Sequence, residues 1–283
     1  RLRCDWSSDV CSSDLATPLN IPAGTDPRET LAEWLLTPEN PFLARAMANR
    51  VWGQFLGRGI VHPVDDFRAT NPPVNPELLD ALAADFAGHD FDLRHLMRRI
   101  MNSRLYQLSS LPNKTNVQDT SSFSRFYRRR ISAENLHDIL VQVSGVESSF
   151  YNLRRDARSV ELWTTRMDSA LLESFGLPNS SENCPVERDD RPSMVQALHL
   201  MNSDKLQAKL ADKNGRAAKL AQEDKPSDEV VNELYLALYS RWPSDEEKRV
   251  ALEAFKGGDA KRHEVVEDII WALINTAEFV FNH

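Results

Sequence analysis

Cysteine is almost missing from this sequence, with three residues in 283, at positions 4, 11 and 184. Two of them fall in an unusual N-terminal stretch, so Cys184 stands alone and no internal disulfide framework is available to the rest of the chain. There is no Cys-x-x-Cys-His, which excludes covalent attachment of a c-type haem to these residues. No apolar run approaches the length that spans a membrane. Gly-x-Ser-x-Gly, phosphate-loop and His-Glu-x-x-His patterns are absent too. The histidines, His62, His89, His95, His137, His199, His263 and His283, include no two at i,i+4 spacing, so no paired-histidine metal site is expected on a helix. Cys184 and His199 supply a nucleophile and a base only if folding unites them, and a lone cysteine beside Pro185 is more often inert.

Positive charge is also in deficit. Lys and Arg number 34 against 42 Asp and Glu. Residues 1–15 distort that count. They carry a tandem repeat, Trp6-Ser7-Ser8-Asp9-Val10 and Cys11-Ser12-Ser13-Asp14-Leu15, that nothing downstream echoes. The second unit resembles one reading frame of a common sequencing adapter, so the stretch is expected to be non-native; it has no apolar core of a signal peptide. Without it the balance is 32 basic to 39 acidic residues. An acidic chain is a poor general ligand for polyanions, and nucleic acid is not an expected partner. The charge is uneven, however. Arg94 to Arg130 contains nine cations against Asp119 alone, while acids lead from Glu223 to Asp268. Either the basic stretch faces an anionic partner such as an acidic polysaccharide, or it pairs with the acidic C-terminal part; the second reading is preferred.

Helix punctuation is what the sequence has in quantity. Asn40-Pro41 sets an N-cap before a proline at the first helical position, and Leu43, Met47, Val51 and Phe55 recur every four residues until Gly57. The device returns at Asn75-Pro76, with Leu78, Leu79, Leu82 and Phe86 before Gly88. Asp92 opens a third helix and Ser132 a fourth, which Gly145 stops. Ser244 and Glu247 make a capping box, and Val265, Val266, Ile269, Ile270, Leu273 and Ile274 line a last long helix. Residues 107–122 read as a loop. Between 146 and 190 regularity fades: Val160, Leu162 and Trp163 alternate like a short strand, and Asp168 begins a brief helix ending at Gly176. Three helix ends share an Asn followed by Ser or Thr, at Asn102-Ser103, Asn202-Ser203 and Asn275-Thr276, a likeness that end chemistry explains better than duplication. Trp34, Trp52 and Trp271 read as core, which leaves Trp163 and Trp242 as surface platforms.

The fold class is therefore all-α: a multi-helix orthogonal or antiparallel bundle with a less regular central insert at about 146–190 and at most a short strand pair. Residues 16–39 form a lead-in, and 40–283 a single helical domain with two lobes, 40–145 and 190–283, as its possible subdivision. The residues that most invite a functional reading are Arg45, Asn49, Arg50, Asp65, Asp66, Arg68 and Asn71. Arg45 and Asn49 are four apart and share a helix face, and the acids follow in a loop. Such a group either binds a polar ligand or holds the loop by satisfying its backbone, and the structural network is favoured.

The run Asn40 to Trp52, Gly57-Arg58-Gly59-Ile60-Val61 with Pro63 to Arg68, and Asn75 to Asp80 together resemble one family, the planctomycete domain of unknown function 1553. Asn102-Ser103 with Tyr106-Gln107, Arg129 to Glu134, Gln196 to Asn202 and Glu278 to His283 extend the likeness across residues 27–283. The resemblance implies a C-terminal helical module of a large extracytoplasmic protein, whose upstream region often carries a cytochrome c-like domain. Haem c is then expected only in that upstream region, and none, nor any metal, in this chain. The expected partners are those upstream domains. The sequence departs from the family at Cys184-Pro185-Val186-Glu187-Arg188, where Cys-x-Cys-Glu-Arg is expected. Val186 in the second cysteine position leaves Cys184, Glu187 and Arg188 as secondary site candidates only. The leading functional expectation is a docking or structural module. The alternative is an enzyme of unknown, polysaccharide-related reaction that uses the Arg45–Asn71 cluster.

Overall fold

The computed structural model describes residues 26–37, 40–150, 153–154, 156–162, 169–177, 192–256 and 261–282. The chain divides into two compact units at Arg128/Arg129, and among the described residues both are helical.

The first unit holds α1 (Pro27–Leu35), α2 (Pro41–Leu56), α3 (Pro76–Gly88) and α4 (Leu93–Met101). Their starts follow from the expected caps. The Asn40 carboxamide oxygen accepts from Phe42 N at 2.9 Å, Asn75 from Leu78 N at 3.0 Å and Asp92 from Arg94 N at 2.8 Å. Each side chain thereby satisfies a backbone donor that the helix itself leaves free. Gly57 ends α2 at φ 79°, a left-handed conformation that costs glycine nothing.

The buried face of α2 is rotated from the one that a strict four-residue repeat marks out. Ala44, Ala48, Val51, Trp52 and Leu56 are buried, while Met47 and Phe55 only flank the core. A helix turns by 3.6 residues, so a four-residue spacing drifts off one face over three turns, and Ala44 and Ala48 offer the flatter surface to neighbouring helices. Leu79, Ala83 and Phe86 of α3, with Leu96 and Ile100 of α4, complete this core. Trp52 is a core residue as expected, meeting Phe123 edge-on at 5.5 Å.

The second unit runs β1 (Arg129–Arg130), α5 (Ala133–Ser144), a 3-10 turn (Ser159–Glu161), α6 (Ala170–Ser174), α7 (Met194–Asn202), α8 (Asp204–Leu210), α9 (Arg216–Gln222), α10 (Ser227–Tyr239), α11 (Asp245–Ala254), α12 (Arg262–Ile274), α13 (Ala277–Val280) and β2 (Phe281–Asn282). The two strands pair antiparallel, Arg129 with Asn282 and Arg130 with Phe281, so the last residues described close onto the first of this unit. α12 is the central helix. Val266, Ile270 and Ile274 are fully buried, and they share one core with Leu136, Leu140, Leu172, Leu206, Val230 and Leu234.

Three helix ends behave alike. Ser103, Ser203 and Thr276 each accept from the amide three residues on, at Tyr106, Leu206 and Phe279. Their hydroxyls serve as caps for the following turn, which is the local chemistry behind the Asn-Ser and Asn-Thr likeness.

Two local expectations need correction. Val160 lies on a 3-10 turn and not on a strand, because the Asp138 carboxylate captures the amides of Ser159 at 2.6 Å and Val160 at 3.4 Å. A side chain that binds successive amides offers the backbone an alternative to sheet pairing. The brief helix before Gly176 is capped by Ser169, whose hydroxyl accepts from Leu172 N. Asp168 and Trp163 lie outside the described residues.

Candidate functional site

Asn49 is the centre of the expected polar cluster, and its neighbours decide its role. It sits on the buried side of α2 with no solvent exposure. Its amide nitrogen donates to Val61 O at 2.9 Å and Val64 O at 2.8 Å, and its oxygen accepts from Val61 N at 2.9 Å. All its principal hydrogen-bonding directions are spent on the loop backbone. Gly59 makes this possible. A Cβ there would stand 2.2 Å from Val61 O and 3.0 Å from both Asn49 head-group atoms. Val74 N donating to Ile60 O then closes the loop.

The remaining members sit around this clasp and do not converge. Arg50 reaches Asp65 at 2.6 Å, with both side chains more than half exposed. Asp66 is taken by Arg68 at 2.5 and 2.6 Å. Asn71 donates to Asp66 O at 2.8 Å. Arg45 turns away to Asp80 of α3, at 3.1 Å, so Arg45 and Asn49 share a helix but not a site. The partners' hydrogen bonds hold the Arg50 and Arg68 guanidiniums above their ordinary range, which favours the charged, paired form. Chemically this is a fastened loop. Cys184, Glu187 and Arg188 lie outside the described residues.

Charge elsewhere is also consumed locally. Asp119 organises its loop, accepting from the amides of Ser121, Ser122 and Ser124, from the Ser124 hydroxyl and from Tyr127 Oη. These bonds hold its carboxyl far below the usual carboxylate range. In the acidic C-terminal part, Glu247 and Glu278 grip Arg241, Glu246 and Glu253 grip Arg249, and Glu223 and Glu233 grip Lys225. These acids pair with cations of their own part of the chain.

A cavity of about 460 Å³ in the second unit was not anticipated from the sequence. It opens between α5, the 146–150 loop, the start of α6 and α8, over Leu140, Leu171, Leu206 and Phe150. His137 stands at its wall. One ring nitrogen, Nε2, lies 3.1 Å from Ser148 Oγ and the other, Nδ1, 2.6 Å from Ser159 Oγ. Burial pushes the His137 imidazole below its ordinary range, with the Asp138 carboxylate opposing. Burial lowers His199 and Lys209 as well. Lys209 Nζ is tied to the carbonyls of Val146 and Glu147 at 2.8 and 3.0 Å, pinning the loop that carries Ser148. The size is that of a small-molecule site, and a neutral imidazole between two hydroxyls can accept from one and donate to the other. The signal open to a sequence reader was slight: a histidine on the apolar side of α5, beside an aspartate.

A third grouping joins Asp85, His89 and His95, whose ligand-type atoms lie within 4.8 Å of one another. No helix among the described residues is long and apolar enough to cross a membrane.

With the geometry in hand, comparison with known proteins gives a family and little else. The family model described as PSD1, protein of unknown function (DUF1553), matches residues 27–255. The chain belongs to this family. The match takes in both the Asn49 clasp and the His137 cavity, so each is a feature of the DUF1553 portion of the chain. No curated protein and no solved structure matches it.

Proposed function

We propose that this DUF1553 chain is a non-catalytic helical module that docks another domain of a multidomain extracytoplasmic bacterial protein. The partner is the haem-c-bearing domain that the planctomycete family resemblance implies upstream. One observation carries the reading. Met194, Val195, Leu198 and Met201 of α7 are 76, 61, 50 and 43 % exposed, and at i, i+1, i+4 and i+7 they lie along one side of the helix. Gln196 and Leu200 supply the buried side. A nine-residue helix that turns four large apolar side chains to solvent is unfinished in the way that a missing partner would complete. Covering them is worth about 4 kcal/mol before the costs of association, enough to hold a tethered domain and marginal for a free one.

The state of the Arg45–Asn71 cluster supports the same reading. A catalytic use of those residues requires an open, convergent site, whereas their bonds are spent on the loop and on each other. The test is calorimetric titration of the chain with the upstream region, alongside a turnover panel of glycosides, sulfate esters and peptides. A complex that is lost in the double variant Met194→Asp/Leu198→Asp, without turnover, is expected. An unchanged affinity in that variant refutes the docking face.

A second reading, an enzyme of unknown reaction, is favoured by a separate observation: the His137–Ser148 contact at the cavity. Turnover of any panel substrate that disappears in His137→Ala, with the helical content intact, would replace the docking reading by this one.

A further inference from the structure

The turn between α3 and α4 brings three metal-ligating side chains together from two helices. Asp85 and His89 are one turn apart near the end of α3, and His95 lies in the first turn of α4. The link is tightly set. Asp90 and Phe91 both adopt left-handed φ, 53° and 55°, the Phe91 ring packs edge-on against Phe86 at 5.3 Å, and Asp92 caps α4. His95 is thus delivered beside His89 by a turn whose Phe91 packs against Phe86.

His95 Nε2 is 2.9 Å from Asp85 Oδ2, and His89 Nδ1 is 3.6 Å from Asp85 Oδ1. The two imidazoles stack with centroids 3.8 Å apart and an interplanar angle of 15°. The Asp85 carbonyl, 2.7 Å from His89 Nδ1, holds that ring in place. Ligand-type atoms of the three residues lie within 4.8 Å of one another, and rotation of the His89 side chain, whose Nδ1 now donates to the Asp85 carbonyl, brings them to the spacing of about 3.3 Å that a tetrahedral ion with bonds of about 2.0–2.1 Å requires. Asp85 and His95 are about three-quarters covered while His89 is half exposed, which leaves room for water at the remaining positions.

We propose that Asp85, His89 and His95 bind one divalent transition-metal ion of the zinc class. Two imidazole nitrogens and one carboxylate oxygen suit zinc, cobalt, nickel or copper, and not magnesium or calcium, which prefer all-oxygen shells. The resident cation is the Arg99 guanidinium, whose Nε lies 3.5 Å from Asp85 Oδ2 on an exposed side chain. It competes with the ion for the carboxylate, which gives the proposal a signed consequence: removing it strengthens binding. The site lies in the first unit, whereas α7 belongs to the second, and the proposal goes beyond the docking reading.

The experiment is calorimetric titration of the chelator-stripped whole chain with Zn²⁺, with Co²⁺ absorption as a direct report of the ligand set. One ion per chain is expected, with His89→Ala and His95→Ala each weakening binding by at least about tenfold and Arg99→Ala tightening it. His263→Ala, which alters the exposed pair of His263 with Glu267, leaves it unchanged. In the unaltered chain Co²⁺ gives the visible bands of a low-coordinate nitrogen–oxygen site, a readout that needs no variant to fold. Binding that persists in the double variant His89→Ala/His95→Ala, or a Co²⁺ spectrum of the hexa-aquo ion only, overturns the proposal.

Discussion

Replacing Asn49 by alanine should be among the costliest single changes in the first unit, although Asn49 touches no charged group. Val61 is 1 % exposed, so loss of the carboxamide strands its N–H and C=O away from water. An orphaned buried backbone group costs about 1–3 kcal/mol, and the third partner, the half-buried Val64 carbonyl, can recover a water. The expected loss is about 3 kcal/mol. Aspartate at position 49 is a sharper probe. It keeps the acceptor for Val61 N but turns an oxygen toward two carbonyls, so it should be as harmful as alanine at neutral pH. Its carboxyl would be forced above the usual range, so stability should recover as pH falls and the group protonates. Gly59→Ala should damage the same clasp by pressing a methyl against Val61 O. The assay is urea unfolding resolved by hydrogen exchange of peptides from residues 40–101, because two units need not unfold together. A loss below 1 kcal/mol for Asn49→Ala, or an Asn49→Asp variant indifferent to pH, would refute the reasoning.

Other outcomes follow from the same contacts. A double-mutant cycle of Arg50→Ala with Asp65→Ala should give a coupling no larger than about 0.5 kcal/mol, because both side chains are more than half exposed; a coupling above 2 kcal/mol would mean the pair is shielded. The Glu247 carboxyl, held at about 2 chiefly by the Arg241 guanidinium, adds stability that is complete above the ordinary carboxylate range and is lost as pH falls toward 2. Arg241→Ala should flatten the acid limb of the second unit's pH–stability curve, with about 1–2 kcal/mol at stake after allowance for solvent at a site one-third exposed. His137 acts in the same direction but in a higher pH range, through a group that the fold keeps neutral. Its lowered imidazole resists protonation in the fold, so stability of the second unit should decline as pH drops below the usual histidine range, and His137→Gln should remove that slope.

What could be read in the sequence was mostly helix punctuation. Asn40, Asn75, Asp92, Ser132 and Ser244 are caps both in pattern and in fact, because capping is decided by four or five neighbouring residues. The 3-10 turn at Ser159 escaped because its cause, Asp138, is twenty-one residues away. The role of Asn49 was half legible. A polar residue between Ala48 and Val51 on a helix is conspicuous, yet only the return of Val61 shows that it serves the backbone. Neither the His137 cavity nor the Asp85–His89–His95 grouping can be reached by scanning for histidine pairs. Each joins residues from separate elements through a turn whose path is set by packing.

The most direct test of the docking reading is hydrogen exchange at α7. In the 283-residue chain alone, amides of residues 194–202 should exchange faster than those of α12, since one side of α7 faces water. In the chain joined to the upstream region that the docking proposal requires, the same amides should slow by tenfold or more while the rest of the chain changes little. Equal exchange at α7 in the two forms would contradict the central claim.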